Sequence, residues 1–206
     1  AIDRLIQKKD DETKETDSVQ DKNVADMFNS QLPQIKGAMF HVETRAAGEN
    51  SAPVTIIQSE YMRRMKELSR IESGMRFYGQ MPDEYTIILN SDHRLIKEIR
   101  EDGDKATAEK LKPVDADIKG LEARRAVLSQ EQKKKADELT DEDRKQMKDC
   151  EEQIGKRREE RKGILAEYAK DNKTLHQLVD LALLQNNMLR GEALSKFISR
   201  SIDLIK

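Results

Sequence analysis

Between Asp102 and Asn172 the chain carries 18 lysines and arginines and 19 aspartates and glutamates in 71 positions, with aliphatic residues only scattered among them. No globular core can be built from such a stretch, because the apolar area it could bury does not offset the entropy of ordering it. Val114, Ile118, Leu121 and Leu128 are spaced by four, three and seven residues. Thr140-Asp141-Glu142-Asp143, patterned like a capping box, precedes Met147, Cys150, Ile154, Ile164 and Tyr168. The spacing predicts two long antiparallel helices joined near Thr140. Arg125, Arg157 and Arg161 fall on their seam, so this coiled coil is weakly apolar and marginal as an isolated unit.

The fold has to come from the flanks. Residues 8–23 contain Val19 as their only aliphatic side chain and read, with the start of the chain, as a linker over 1–23. At Val24 the pattern changes: Val24, Met27 and Phe28 have helical spacing, and Pro33 stops the segment. Ile35, Met39, Phe40 and Val42 are followed by a loop from Gly48 to Pro53 and the β-branched run Val54-Thr55-Ile56-Ile57, giving two strands of one sheet. Ser59 is placed to cap a helix carrying Met62, Met65, Leu68 and Ile71, which ends before Gly74. Tyr85-Thr86-Ile87-Ile88-Leu89 is a third strand, and Asn90 or Ser91 is placed to cap a helix bearing Leu95, Ile96 and Ile99. Strands mixed with short helices make residues 24–101 α+β, around a small mixed sheet.

From Thr174 the chain turns apolar. Leu175, Leu178, Val179 and Ala182 share one helix face, while Leu181, Leu184 and Met188 share another. Gly191 breaks this helix, and Leu194, Phe197, Ile198, Ile202 and Ile205 line a last one. One helix pair cannot enclose both faces, whereas two copies related by a two-fold axis would close an intermolecular four-helix bundle. A homodimer is therefore expected. On this reading residues 24–101 and 173–206 form one dimerisation domain, with 102–172 inserted as a charged helical hairpin.

Several function classes are disfavoured. A net charge of -2 with evenly mixed signs gives no global attraction to nucleic acid. The basic runs Lys133-Lys134-Lys135 and Lys156-Arg157-Arg158 are followed by acids and lack interleaved aromatics. The longest apolar run, Leu181 to Leu184, is far short of a membrane span. One cysteine excludes an intramolecular disulfide framework and fits a reducing compartment, the cytoplasm, with Cys150 serving as a small hydrophobe on the seam. The start, Ala1-Ile2-Asp3-Arg4-Leu5, has no leader pattern and no Met, and reads as cut from a longer chain. No glycine-rich phosphate loop or zinc motif occurs. His41 in a strand, His93 in the first turn of a helix and His176 in the apolar helix are far apart in sequence and read as ordinary packing or surface residues. No acid, base and nucleophile set can be assembled, so no catalytic, metal or cofactor site is expected in this chain.

The stripe Met62, Met65, Leu68 and Ile71, continued by Met75, Phe77, Tyr78 and Met81, either packs on the sheet or forms an adaptable apolar surface for other proteins. Tyr85 through Leu89, then Asn90-Ser91-Asp92-His93-Arg94-Leu95-Ile96, resembles a strand and helix start in the C-terminal domain of the heat-shock protein 90 chaperones. There the common pattern is a strand followed by Asn-Pro-Asp-His. Ser59 to Leu68, with Tyr61, Met62 and Met65, is similar to that domain's amphipathic helix. Leu178-Val179-Asp180-Leu181-Ala182-Leu183-Leu184 and Lys196-Phe197-Ile198-Ser199-Arg200 are similar to its dimerising pair. The likeness covers about half the chain. Ser91 replaces the motif's proline but remains a good capping residue, and the tract 102–172 has no counterpart in the family pattern, so it reads as a lineage-specific insertion. The chain ends without an acidic tail, which likens it to the bacterial form.

The resemblance implies an ATP-driven chaperone that assists protein folding. ATP and Mg would be held by an N-terminal domain absent from this chain, which itself would not hydrolyse ATP. The partners implied are a second copy and unfolded or partly folded clients, with no nucleic acid and no membrane. It points to Tyr61, Met62, Met65 and Leu68 for client contact and to Leu178, Leu181, Leu184, Leu194, Phe197, Ile198 and Ile202 for the dimer seam. The competing reading is a coiled-coil adaptor in which the hairpin binds a specific partner and the α+β part is its mount.

Overall fold

The computed structural model describes residues 18–69, 71, 81–135 and 140–205. Most of the expected linker, together with Met75, Phe77 and Tyr78 of the apolar stripe, lies outside the described residues. Among the described ones there are six helices and three strands. Residues 18–30 form α1, so the helix carrying Val24, Met27 and Phe28 is already under way six residues before Val24. Residues 18–23 are thus helical rather than linker, because Asn23 is drawn into contacts that its own local sequence does not reveal.

The strands are β1 (Ala38–Arg45), β2 (Val54–Gln58) and β3 (Asp83–Asn90). They order β1-β3-β2, with β1 parallel and β2 antiparallel to β3, a mixed sheet whose middle strand is the last in sequence. Register places Val42 and Ile56 on either side of Ile87, and Val54 beside Leu89. Alternation sends that set inward: Val54, Ile56, Ile87 and Leu89 are buried, and the rings of Phe40 and Tyr85 stack with centroids 5.7 Å apart. Between β2 and β3, α2 (Glu60–Ser69) begins as expected at Ser59, whose Oγ accepts from Met62 N at 3.4 Å.

Neither Asn90 nor Ser91 caps the next helix. His93 does, its Nδ1 accepting from Leu95 N at 3.2 Å, and α3 starts at Arg94. The Asn90 side chain is engaged elsewhere. Only 2% exposed, it accepts from Ala47 N and Asp92 N and donates to Gly48 O, knotting the β1–β2 loop to the end of β3. Gly48 sits at φ +85, a conformation that favours glycine.

α3 (Arg94–Lys135) runs unbroken for 42 residues through Pro113, across the expected boundary at 101/102. α4 (Asp141–Asp171) follows, opened by a reciprocal capping box between Thr140 and Asp143. Cross-pairs Lys110–Glu167, Asp115–Arg161 and Glu122–Arg158 ascend on one helix as they descend on the other, so the two are antiparallel. The charged tract does enter the core at both ends, contrary to expectation. Leu111, Leu165 and Ala169 join α1, the sheet and the later helices in one cluster, because these apolar side chains lie on the stripe that faces inward, whereas Val127 further along α3 stays exposed. Cys150 is buried against α3, with Sγ 3.4 Å from Leu121 O.

Asn172 ends α4 and caps α5 (Lys173–Gln185), accepting from Leu175 N at 2.9 Å. α5 stops at Gln185 rather than at Gly191. Asn187 adopts φ 56, Met188 N returns to Leu183 O, and Gly191 is instead the first residue of α6 (Gly191–Ile205). Met188 therefore leaves the helix face on which its spacing had placed it, and packs against the core.

Candidate functional site

Two surfaces hold the residues singled out from sequence. The first spans α5 and α6. α5 buries Leu175, Leu178, Val179, Ala182 and Leu183 within the chain. Leu178, expected on a dimer seam, is thus 6% exposed inside its own core, since it shares the inward face of α5 with Leu175 and Ala182. Leu194 and Phe197 are half-buried against that core. Leu181 and Leu184 on α5, and Ile198 and Ile202 on α6, stay substantially exposed, the last two by 50% and 52%. Ile205, also on α6, is the most open at 86%.

Polar contacts fix the angle of this helix pair. Arg200 pairs with Asp180, and Gln177 Nε2 donates to Ser201 Oγ at 2.5 Å. Burial raises the Asp180 carboxyl above its usual range, and the Arg200 guanidinium offsets that only in part. α5 and α6 thus each leave a pair of large aliphatic side chains open, and the Asp180–Arg200 ion pair ties the two helices together.

The second surface is α2. Ser69 is its one buried residue. Tyr61 is 60% and Leu68 40% exposed, while Met62 and Met65 are half-buried. Tyr61 and Leu68 are therefore left open, while the two methionines between them are partly covered. Lys66 Nζ to Asp83 Oδ1 at 2.8 Å ties α2 to the start of β3, and Arg63 bridges Glu60 and Glu67 along the helix. Sequence reasoning missed two exposed apolar side chains on the sheet's outer face, Met39 (57%) and Ile57 (42%). Period-two alternation carried the signal: once Val54 and Ile56 point inward, Ile57 must point out.

Nothing brings the three histidines together. His41 is on β1, His93 caps α3, and His176 places Nε2 2.9 Å from Lys170 O. Among the described residues no group of three or more His, Cys, Asp or Glu is arranged to hold a metal ion, and no helix is long and apolar enough to cross a membrane.

Comparison with known proteins adds what geometry alone does not. The chain matches no protein-family model and no solved structure. It is 42% identical over 205 residues to the chaperone protein HtpG of Bacteroides thetaiotaomicron, a match covering 99% of this chain and 30% of that protein. The chaperone protein HtpG of Porphyromonas gingivalis is 32% identical over 205 residues with the same coverage. The chain belongs to the HtpG chaperones, of the heat-shock protein 90 family. It spans about 30% of the length of the curated relatives it matches. Because the match takes in 99% of the chain, the charged tract has a counterpart in these HtpG relatives.

Proposed function

We propose that this chain is the C-terminal, homodimerising and client-contacting part of an ATP-dependent chaperone that assists protein folding in the cytoplasm. The observation that carries the reading is the unpartnered aliphatic strip of Leu181, Leu184, Ile198 and Ile202. Pairing two such strips about a two-fold axis closes a four-helix bundle, with Leu194 and Phe197 at its margin. Joining two copies there raises the effective concentration of any further domains for one another, so an ATP-linked closure between them becomes intramolecular. ATP and Mg belong to the whole protein, outside this chain. Tyr61, Met62, Met65 and Leu68 form the client surface, where thioether and aromatic side chains fit irregular apolar segments.

Light scattering over a dilution series tests the dimer. The expected mass is twice 23.7 kDa, and the double change Ile198→Asp with Ile202→Asp yields a folded monomer, both positions being exposed in the single chain. A wild-type monomer at micromolar concentration would sink the dimer. Client contact is checked separately, by suppression of aggregation of an unfolded protein, which Tyr61→Ser with Leu68→Ser reduces while leaving the dimer intact.

A further inference from the structure

The foot of the α3–α4 pair meets α1 in a half-buried polar layer that neither proposed surface uses. Arg161 on α4 is its centre, with a side chain only 12% exposed. Its Nε donates to Asp115 Oδ1 on α3 at 2.7 Å, its Nη2 donates to Asn23 Oδ1 on α1 at 2.6 Å, and its Nη1 lies 3.8 Å from Asp26 Oδ2. Asn23, 5% exposed, donates from Nδ2 to Asp104 Oδ1 on α3 at 2.9 Å. One turn earlier on α3, Arg100 Nη1 reaches Asp21 Oδ1 at 3.1 Å. On its other side α1 is fully enclosed, with Val24, Met27 and Phe28 at 0% exposure.

These contacts differ in kind from those higher up the pair. Arg158–Glu122 and Arg157–Asp117 are exposed ion pairs, each worth little. A planar guanidinium that satisfies partners on two other helices at once does so in one relative placement only, and a half-buried charge left unpaired is costly. Beside the buried packing of Val114, Cys150 and Ile154, the foot therefore supplies the directional polar contact between α3 and α4, through a group that also grips α1.

We infer that α1 is a strap across the α3–α4 pair, with Arg161 as the positioning residue through which displacement of α1 loosens the pair. Such coupling is reciprocal: disturbing α1 loosens the pair as much as disturbing Arg161 loosens α1.

Hydrogen exchange measured by mass spectrometry on the 206-residue chain tests this. Asn23→Ala removes no contact between α3 and α4, yet is expected to raise exchange roughly tenfold in residues 112–130 and 145–162. Arg161→Met is expected to raise exchange in residues 18–30 by a similar factor, with β3 and α5 unchanged. Arg161→Lys, which keeps the charge but loses the fork, gives the same redistribution and carries the test where the Met variant does not fold. Faster exchange in Asn23→Ala confined to α1 would overturn the coupling. So would a rise spread evenly over β3 and α5, which marks general destabilisation.

Discussion

Gly103 lies inside α3, where glycine costs about 1 kcal/mol relative to alanine in an ordinary helix interior. A Cβ at that position would stand 2.4 Å from Met27 Cε, 2.8 Å from Met27 Sδ and 3.1 Å from Tyr168 Cε1. The thioether end of Met27 is flexible, but Met27 is 0% exposed, so it gives way only by shifting among buried neighbours. Forcing a methyl group into a filled core costs about 1–3 kcal/mol. Set against the propensity gain, Gly103→Ala is expected to destabilise by about 1 kcal/mol. Met27→Ala alone empties the site and costs about 2–5 kcal/mol. In that background the methionine obstruction is gone and only the 3.1 Å approach to Tyr168 Cε1 remains, so Gly103→Ala becomes neutral to stabilising by up to about 1 kcal/mol, a coupling of about 1–2 kcal/mol. Urea unfolding of the four chains, followed by circular dichroism, measures the cycle. If Gly103→Ala stabilises the wild-type chain, or if the two changes simply add, the close approach of α1, α3 and α4 at this point is wrong.

Asp104 has its carboxyl raised above the usual range, chiefly by burial, with the Asn23 hydrogen bond, Arg100 and Arg161 offsetting part of it. A carboxyl raised on folding stabilises the chain when protonated and loses that contribution as pH rises through its folded value. Asp104→Asn is therefore expected to be the more stable chain at about pH 7, with the gap closing toward about pH 4 in paired thermal melts; a gap that widens on acidification refutes the assignment. Asn90→Ala removes three hydrogen bonds at a site 2% exposed and should cost about 3 kcal/mol, with faster proteolysis in the 46–52 loop; a loss under about 0.5 kcal/mol would show that the knot contributes nothing. Replacing residues 119–156 with a short turn keeps the Asp115–Arg161 layer and the core residues Leu111 and Leu165, so the shortened chain should fold and dimerise. Deleting 103–172 outright should not fold. If the shortened chain folds and dimerises yet no longer suppresses client aggregation, binding resides in the hairpin and the adaptor reading gains.

Local sequence was enough wherever one short-range rule acted alone. Period-two runs marked β2 and β3, helical spacing marked Val24, Met27 and Phe28, and the Thr140 to Asp143 pattern marked the start of α4. The α+β class, the family resemblance and the apolar character of α5 and α6 were legible for the same reason, since each is carried by side chains close together in the chain. Competition between distant partners was not legible. Asn90 and His93 are both able to cap α3, and the choice fell to His93 because the β1–β2 loop claimed the Asn90 amide. Leu178 and Leu181 are equally apolar, and only the packing of α5 on the core decided that the first is enclosed and the second left open. Arg161 read as a flaw in a coiled-coil seam until α1 arrived beside it with Asn23. Burial and hydrogen-bond partners belong to pairs of groups that are neighbours in space, and a chain of 206 residues names its neighbours only along itself.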